Sequence, residues 1–196
     1  WDTSIPSLRQ QIRQDFGRDI PVAVTEVNTN PNNQVPQPRF ASLWWADTLG
    51  RLMSQQTEFV AFFSTEGVDT PYPLFSSRGL QATPMLRTMQ LFALLQHNFI
   101  PVQMSHEPVG LYATQDSTHQ TVSLLFVNKS SGTQQVNISP ESGILPFTPW
   151  HSLDLTLQGY SIVVVTLHRN GGAETDSFFT NSDKTNVPAL VHTVLQ

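Results

Sequence analysis

The stretch Ile20-Pro21-Val22-Ala23-Val24-Thr25-Glu26-Val27-Asn28 runs from apolar, largely β-branched residues straight into a carboxylate, with an amide two positions on. Such residues favour a pleated strand. A continuous apolar run suits a strand covered on both faces, as in a parallel sheet. The two-residue spacing puts Glu26 and Asn28 on the same side of an extended chain. A Glu closing such a strand sets one ionisable group at the rim of a dry scaffold. The plainer reading is a Glu that merely opens a solvated loop.

Outward from this stretch, Ser4 to Phe16 predicts a helix. Ile5, Leu8, Ile12 and Phe16 share one face, Ser4 is a candidate cap, Pro6 falls in the first turn and Gly17 suits the C-terminus. Asn28 to Pro38, rich in Asn and Pro, reads as a loop leaving the strand on the side of Glu26. Arg39 to Gln56 reads as a second helix with Phe40, Leu43, Trp44, Leu49, Leu52 and Met53 on a broad apolar face, and Gly50 marks close packing. Trp44 and Trp45 point about 100° apart on a helix, so one belongs to the core, and the other either reaches a groove or is itself core or partly exposed. Glu58 to Ser64 is a second apolar strand, and Thr83 to Asn98 a third helix opened by Thr83-Pro84. Helix, strand, helix, strand indicates parallel β/α architecture. In a (β/α)8 barrel the functional rim lies at the C-terminal ends of the strands. The loop from Thr65 to Ala82 follows such an end, so Glu66, Asp69, Tyr72 and Phe75 are candidate substrate contacts.

After Asn98 the hydrophobic period changes to 2. Val102 to Ser105, Val109 to Thr114, Gln120 to Asn128, Thr133 to Ser139, Ser152 to Thr156 and Tyr160 to His168 read as strands separated by turn residues. Val122, Leu124 and Phe126 alternate with Ser123 and Leu125, as in half-buried antiparallel strands, which points to a β-sandwich. Tyr160 to Leu167 is uniformly apolar and predicts a central strand. The tail from Gly171 to Gln196 gives little signal. The expected organisation is therefore α/β plus all-β: residues 1–98 as the last β/α units of a (β/α)8 barrel, and 99–196 as an antiparallel β-sandwich with a C-terminal tail.

With 196 residues, 13% charged and a net charge of -5, the chain suits one large domain or two small ones and offers no basic block for nucleic acid. No run of 18 apolar residues is present to span a membrane. The absence of cysteine excludes disulfides and thiol catalysis. The six histidines lack metal-site spacing, so no metal is expected. Neither a Gly-x-Ser-x-Gly elbow nor a phosphate-binding glycine loop occurs. Asn128-Lys-Ser130 and Asn137-Ile-Ser139 fit the glycosylation triplet, which matters only in a secretory route, so the compartment stays open, with secretion or a cell-surface location compatible. Trp1 stands where a methionine is usual, with no signal peptide behind it. The chain is therefore expected to be cut from something longer or matured by cleavage.

The order of elements resembles the C-terminal part of retaining glycoside hydrolases with a (β/α)8 barrel and an appended β-sandwich, closest to family 44 endoglucanases, family 51 arabinofuranosidases and family 39 xylosidases. Thr25-Glu26-Val27-Asn28 is similar to their Thr/Ser-Glu-aromatic-Asn pattern, and Ala46-Asp47-Thr48-Leu49-Gly50 resembles the family 44 seventh helix. The resemblance implies that Glu26, closing the seventh barrel strand, is the catalytic nucleophile, and that Asn28 orients it or the sugar. Trp45, Glu66 and Tyr72 are the further candidates for sugar contact. It implies a carbohydrate substrate and no cofactor.

The resemblance departs at one point. The family's acid/base Glu lies in an Asn-Glu pair at the end of the fourth strand, and this sequence contains no Asn-Glu dipeptide. Retaining hydrolysis needs two carboxyls about 5–5.5 Å apart. The 196 residues alone are therefore expected to be inactive, with an N-terminal remainder of the barrel, from the same precursor or a separate chain, as the implied partner. The rival readings are a non-catalytic carbohydrate-binding or structural module, and a degenerate barrel serving as a scaffold.

Overall fold

The computed structural model describes residues 1–29, 37–66, 73–76, 79–104, 107–139, 152–180 and 187–195. Among these residues three helices, α1 (Ser4–Phe16), α2 (Pro38–Ser54) and α3 (Pro84–Phe92), alternate with two short strands, β1 (Val24–Val27) and β2 (Val60–Phe62). Then follow β3 (Asn98–Ile100), β4 (Val109–Gln115), β5 (Thr121–Asn128), β6 (Gln134–Ile138), β7 (Leu153–Leu157), β8 (Ser161–His168), β9 (Ala173–Phe179) and β10 (Val191–Leu195).

α1 has the predicted span and ends on Gly17 at φ 67°, whose N–H returns to the Arg13 carbonyl at 2.9 Å. Its cap position is Thr3 rather than Ser4, and no side chain bonds there. Only Ile5 of the apolar stripe is fully buried, and Phe16 is 64% exposed. Thr83 does precede α3, but its hydroxyl donates to the Pro73 and Leu74 carbonyls at 2.6 and 3.0 Å instead of accepting from the helix.

β1 and β2 pair in parallel, as the β/α alternation requires. The strand at the opening stretch starts at Val24, later than Ile20, and it is not covered on both faces. Val22 and Val27 are buried against the helices, whereas Ala23, Thr25 and Glu26 are exposed. The reason is architectural: helices line one side of the pair, and among the described residues no strand or helix packs on the other. Two strands form no closed barrel.

α2 is buried on both sides. Ala41 and Trp45 pack with Val27, Val60, Phe62 and Met85, while Leu43 and Ala46 pack with Tyr112, Leu125, Val127, Ile162 and Val164. Gly50 permits this second contact, because a Cβ there would stand 2.4 Å from the Tyr112 ring. The Tyr112 hydroxyl donates to Asp47 Oδ1 at 2.8 Å, and Arg51 Nε donates to Asp47 Oδ2 at 3.1 Å. Lys129 Nζ lies 3.4 Å from the same carboxylate, and Arg51 also pairs with Asp2. Burial, then the charge of Asp47, pushes the Tyr112 hydroxyl far above the tyrosine range, so it stays a donor. Partial burial works against the Arg51 charge, but the Asp47 hydrogen bond and charge outweigh it and raise that group.

Antiparallel strands form a six-stranded sheet in the order β10-β9-β8-β5-β4-β3, with β6 and β7 as a separate two-stranded ribbon. Val122, Leu124, Phe126, Val163 and Val165 face the ribbon's Val136 and Leu157. The opposite face meets α2 and α3. β5 is therefore covered on both faces rather than half-buried, and β8 is central as expected. Four assignments change. α3 ends at Phe92 rather than Asn98, and β3 takes up Asn98–Ile100 in place of a strand beginning at Val102. β9 and β10 extend the sheet through the tail, whose residue pattern carries little signal. Asn128 is 0% exposed, with Nδ2 donating to the Gly132 and Gln158 carbonyls at 2.9 Å each, so its triplet is closed to glycosylation in the folded chain. Asn137 is exposed.

Two outcomes test this packing. Gly50→Ala should destabilise by about 1–3 kcal/mol through overpacking, although alanine is the better helix former by about 1 kcal/mol. A urea midpoint unchanged or raised would contradict the close contact. At the β4–β5 turn, Asp116 accepts from the Thr118 hydroxyl and from the Thr121 and Gln120 amides, which holds its carboxyl below the usual 3.8. A folded value below the unfolded one stabilises above about pH 4, and the contribution is lost as pH falls through the lowered value. Asp116→Asn should therefore flatten the fall in stability below about pH 4. Superimposable acid limbs in the two proteins' melting curves would refute it.

Candidate active site

Because β1 and β2 are parallel, their C-terminal ends emerge on the same side. Val24 pairs with Val60 and Val27 with Phe62, so β1 carries one extra residue between them. A bulge of this kind re-aims side chains. Val24 and Val27 both turn toward the helices, and Thr25 and Glu26 are left exposed between them. The Glu26 side chain is exposed and makes no hydrogen bond or ion pair with the side chain of another described residue.

Asn28 clasps the two strand ends. Its Nδ2 donates to the Phe63 carbonyl just past β2, and its Oδ1 accepts from the buried Thr29 N–H at 2.6 Å. The Phe63 N–H returns to the Val27 carbonyl at 3.1 Å. Phe63 itself is 44% exposed, an aromatic ring at the rim beside Asn28. Beyond it, Ser64 and Thr65 accept from the Leu74 and Phe75 amides, which ties residues 74 and 75 alongside the exit of β2.

The sequence-derived candidates separate on this geometry. Glu26 and Asn28 share the rim. Glu66 is exposed in the turn after β2, its carbonyl accepting from the Ser64 hydroxyl at 2.9 Å. Phe75 is half-buried in a bridge with Ala82. Asp69 and Tyr72 lie outside the described residues. Trp45 requires correction: it is 0% exposed, its ring 4.8 Å from that of Phe62 and its Nε1 3.2 Å from Met89 Sδ. It presents no surface to a sugar, because the helix turns it wholly into the β1–β2 layer, against which Trp44 packs only in part. The exposed Phe63 ring is not among the sequence-derived candidates. Among the described residues no group of three or more His, Cys, Asp or Glu side chains could hold a metal, and no helix is long and apolar enough to cross a membrane.

No protein-family model and no curated protein sequence matches this chain. Solved structures do. A GH30 endoxylanase from Clostridium papyrosolvens C71 is similar with a TM-score of 0.62 and 9% identity, over 86% of this chain and 47% of that one. A Paenibacillus polymyxa xyloglucanase from glycoside hydrolase family 44 gives 0.63 and 12%, over 84% and 35%. A thermostable GH51 α-L-arabinofuranosidase from Thermotoga petrophila RKU-1 gives 0.61 and 12%, over 84% and 47%. The chain thus resembles glycoside hydrolases in fold and spans less than half the length of each of these three. Families 44 and 51, named from the sequence, recur here, and family 30 adds to them.

Removing the clasp with Asn28→Ala should cost about 1 kcal/mol and speed hydrogen exchange at the Phe63 amide more than at amides of β8. Equal acceleration at both, or none at Phe63, would show that Asn28 does not join the strand ends.

Proposed function

We propose that this chain is the nucleophile-bearing portion of a retaining glycoside hydrolase acting on a poly- or oligosaccharide, and that the parent polypeptide supplies the rest of a (β/α)8 barrel together with the acid/base. The observation that carries this reading is Glu26 standing exposed at the C-terminal end of a parallel strand, within a fold like that of several glycoside hydrolases. The naked face of the β1–β2 pair supports it too, since Ala23, Thr25 and the 44% exposed Phe63 are what an absent barrel interior would cover. On this reading residues 1–98 are the end of the barrel, and the strands from 99 onward are its appended β domain.

The chemistry follows from the donor set. The Glu26 carboxylate attacks the anomeric carbon as the glycosidic bond breaks, forming a covalent glycosyl-enzyme. A carboxylic acid of the parent protonates the departing oxygen, and as the resulting carboxylate it then takes a proton from the water that releases the sugar and regenerates Glu26. Asn28 positions rather than reacts, because its amide is already committed to the Phe63 carbonyl and the Thr29 N–H. Phe63 offers an apolar ring face to a sugar. No step calls for a metal or organic cofactor.

In the parent polypeptide, Glu26→Gln should lower kcat by roughly 10³-fold or more, as loss of a nucleophile does. A 2-fluoro glycoside should add its mass to the peptide bearing Glu26 and to no peptide of the Gln variant. An unchanged rate, or a label on another carboxylate, would end the assignment. Sugar binding with neither hydrolysis nor labelling would favour the non-catalytic module.

A further inference from the structure

The fully buried hydroxyls of Ser42, Thr88 and Ser161 and the fully buried amide of Asn128 each donate to a backbone carbonyl, at 3.0, 3.1, 2.7 and 2.9 Å. Trp45 differs. Its indole is 0% exposed, and among the described residues the acceptor that its Nε1–H reaches is Met89 Sδ at 3.2 Å. A thioether sulfur is a weak acceptor. This buried donor therefore recovers little of the hydrogen bonding it had with water. The two side chains join α2 to α3 inside the cluster of Val27, Ala41 and Met85, on which Val24, Val60 and Phe62 of the β1–β2 pair also pack. Met85, one turn earlier on α3, is 0% exposed, whereas Met89 is half-buried and so within reach of small solutes.

We propose that Met89 is an oxidation site, at which a peroxide converts the thioether to a sulfoxide that the Trp45 N–H then holds. The sulfur lone pair attacks one peroxide oxygen and the O–O bond breaks. With hydrogen peroxide the other oxygen leaves as water, so sulfur is oxidised by two electrons and the peroxide is reduced by two. The new S–O group is strongly dipolar, and its oxygen accepts from an N–H at about 2.9 Å. Room for it comes from the freely turning bonds of the methionine side chain. A sulfoxide usually disrupts the core around it, because it puts a polar group in an apolar site. Here the added acceptor meets a donor that lacks a strong one. Oxidation therefore tightens the contact between α2 and α3 beneath the β1–β2 pair, and a methionine sulfoxide reductase reverses it. Neither Trp45 nor Met89 takes part in the sugar chemistry, so the site stands whether or not Glu26 is a nucleophile.

The test treats the full 196-residue chain with hydrogen peroxide and reads oxygen uptake by peptide mass at its four methionines, Met53, Met85, Met89 and Met104. Hydrogen exchange of the assigned Trp45 indole N–H is followed before and after. The expected result is uptake of one oxygen at Met89 while Met85 stays reduced, with exchange at the Trp45 N–H slowed by about tenfold or more. In Met89→Leu, a swap that keeps the side-chain volume, the same treatment should leave that exchange unchanged, which assigns the effect to this sulfur rather than to Met53 or Met104. Met89 still reduced once Met53 and Met104 are oxidised overturns the site. Met89 oxidised with the Trp45 exchange unchanged or faster overturns the hydrogen bond, as does equal slowing in Met89→Leu.

Discussion

Everything in this chain depends on α2 having two buried faces. A parallel pair of four and three residues is too small to persist by itself. It is held because Ala41 and Trp45 seal one side of it while Leu43 and Ala46, displaced around the same helix, seat it on the six-stranded sheet. Contact on the sheet side is close enough that position 50 admits only hydrogen beside the Tyr112 ring. The Asp47 carboxylate finishes the joint. Partly buried, it is answered by a hydroxyl, a guanidinium and an ammonium, so its charge is not left uncompensated. Removing any one partner would leave that charge worse off, which makes the joint a unit rather than a sum of pairs.

The position of Glu26 follows from this joint. The helix side of β1 is fixed by Val24 and Val27, and the extra residue between them puts Thr25 and Glu26 on the open side. The clasp from Asn28 to Phe63 then keeps the two strand ends level. The role proposed for Glu26 needs a fixed location, and the rim provides one. On the proposed reading, the open side of the strand pair is where the remainder of the barrel would bring a second carboxyl.

Much of this was legible in the sequence wherever apolar periodicity was strong. α1 and β8 were bounded to within a residue, and the parallel alternation was apparent from two apolar runs between helices. Failures have physical causes. Leu94 and Leu95 continue the helical pattern beyond Phe92, but they end the helix in a turn, freeing Asn98 to begin β3. β9 hid because the residues it turns toward the ribbon side are Ala173, Thr175 and Ser177, small groups that pack without a hydrophobic signature. Glu26 and Asn28 were visible as a motif. Phe63 was not, since nothing in an apolar strand says which ring remains uncovered. Trp45 misled because adjacent tryptophans reveal their angular separation but not which of them faces inward.

The most direct test of the central claim is a structure of the parent polypeptide, with the distance from the Glu26 carboxyl to its nearest carboxyl neighbour measured across the rim. The expected result is a Glu or Asp contributed from outside these 196 residues at about 5–5.5 Å. A Glu26 covered by protein, or facing a cleft with no second carboxyl within about 10 Å, would contradict it.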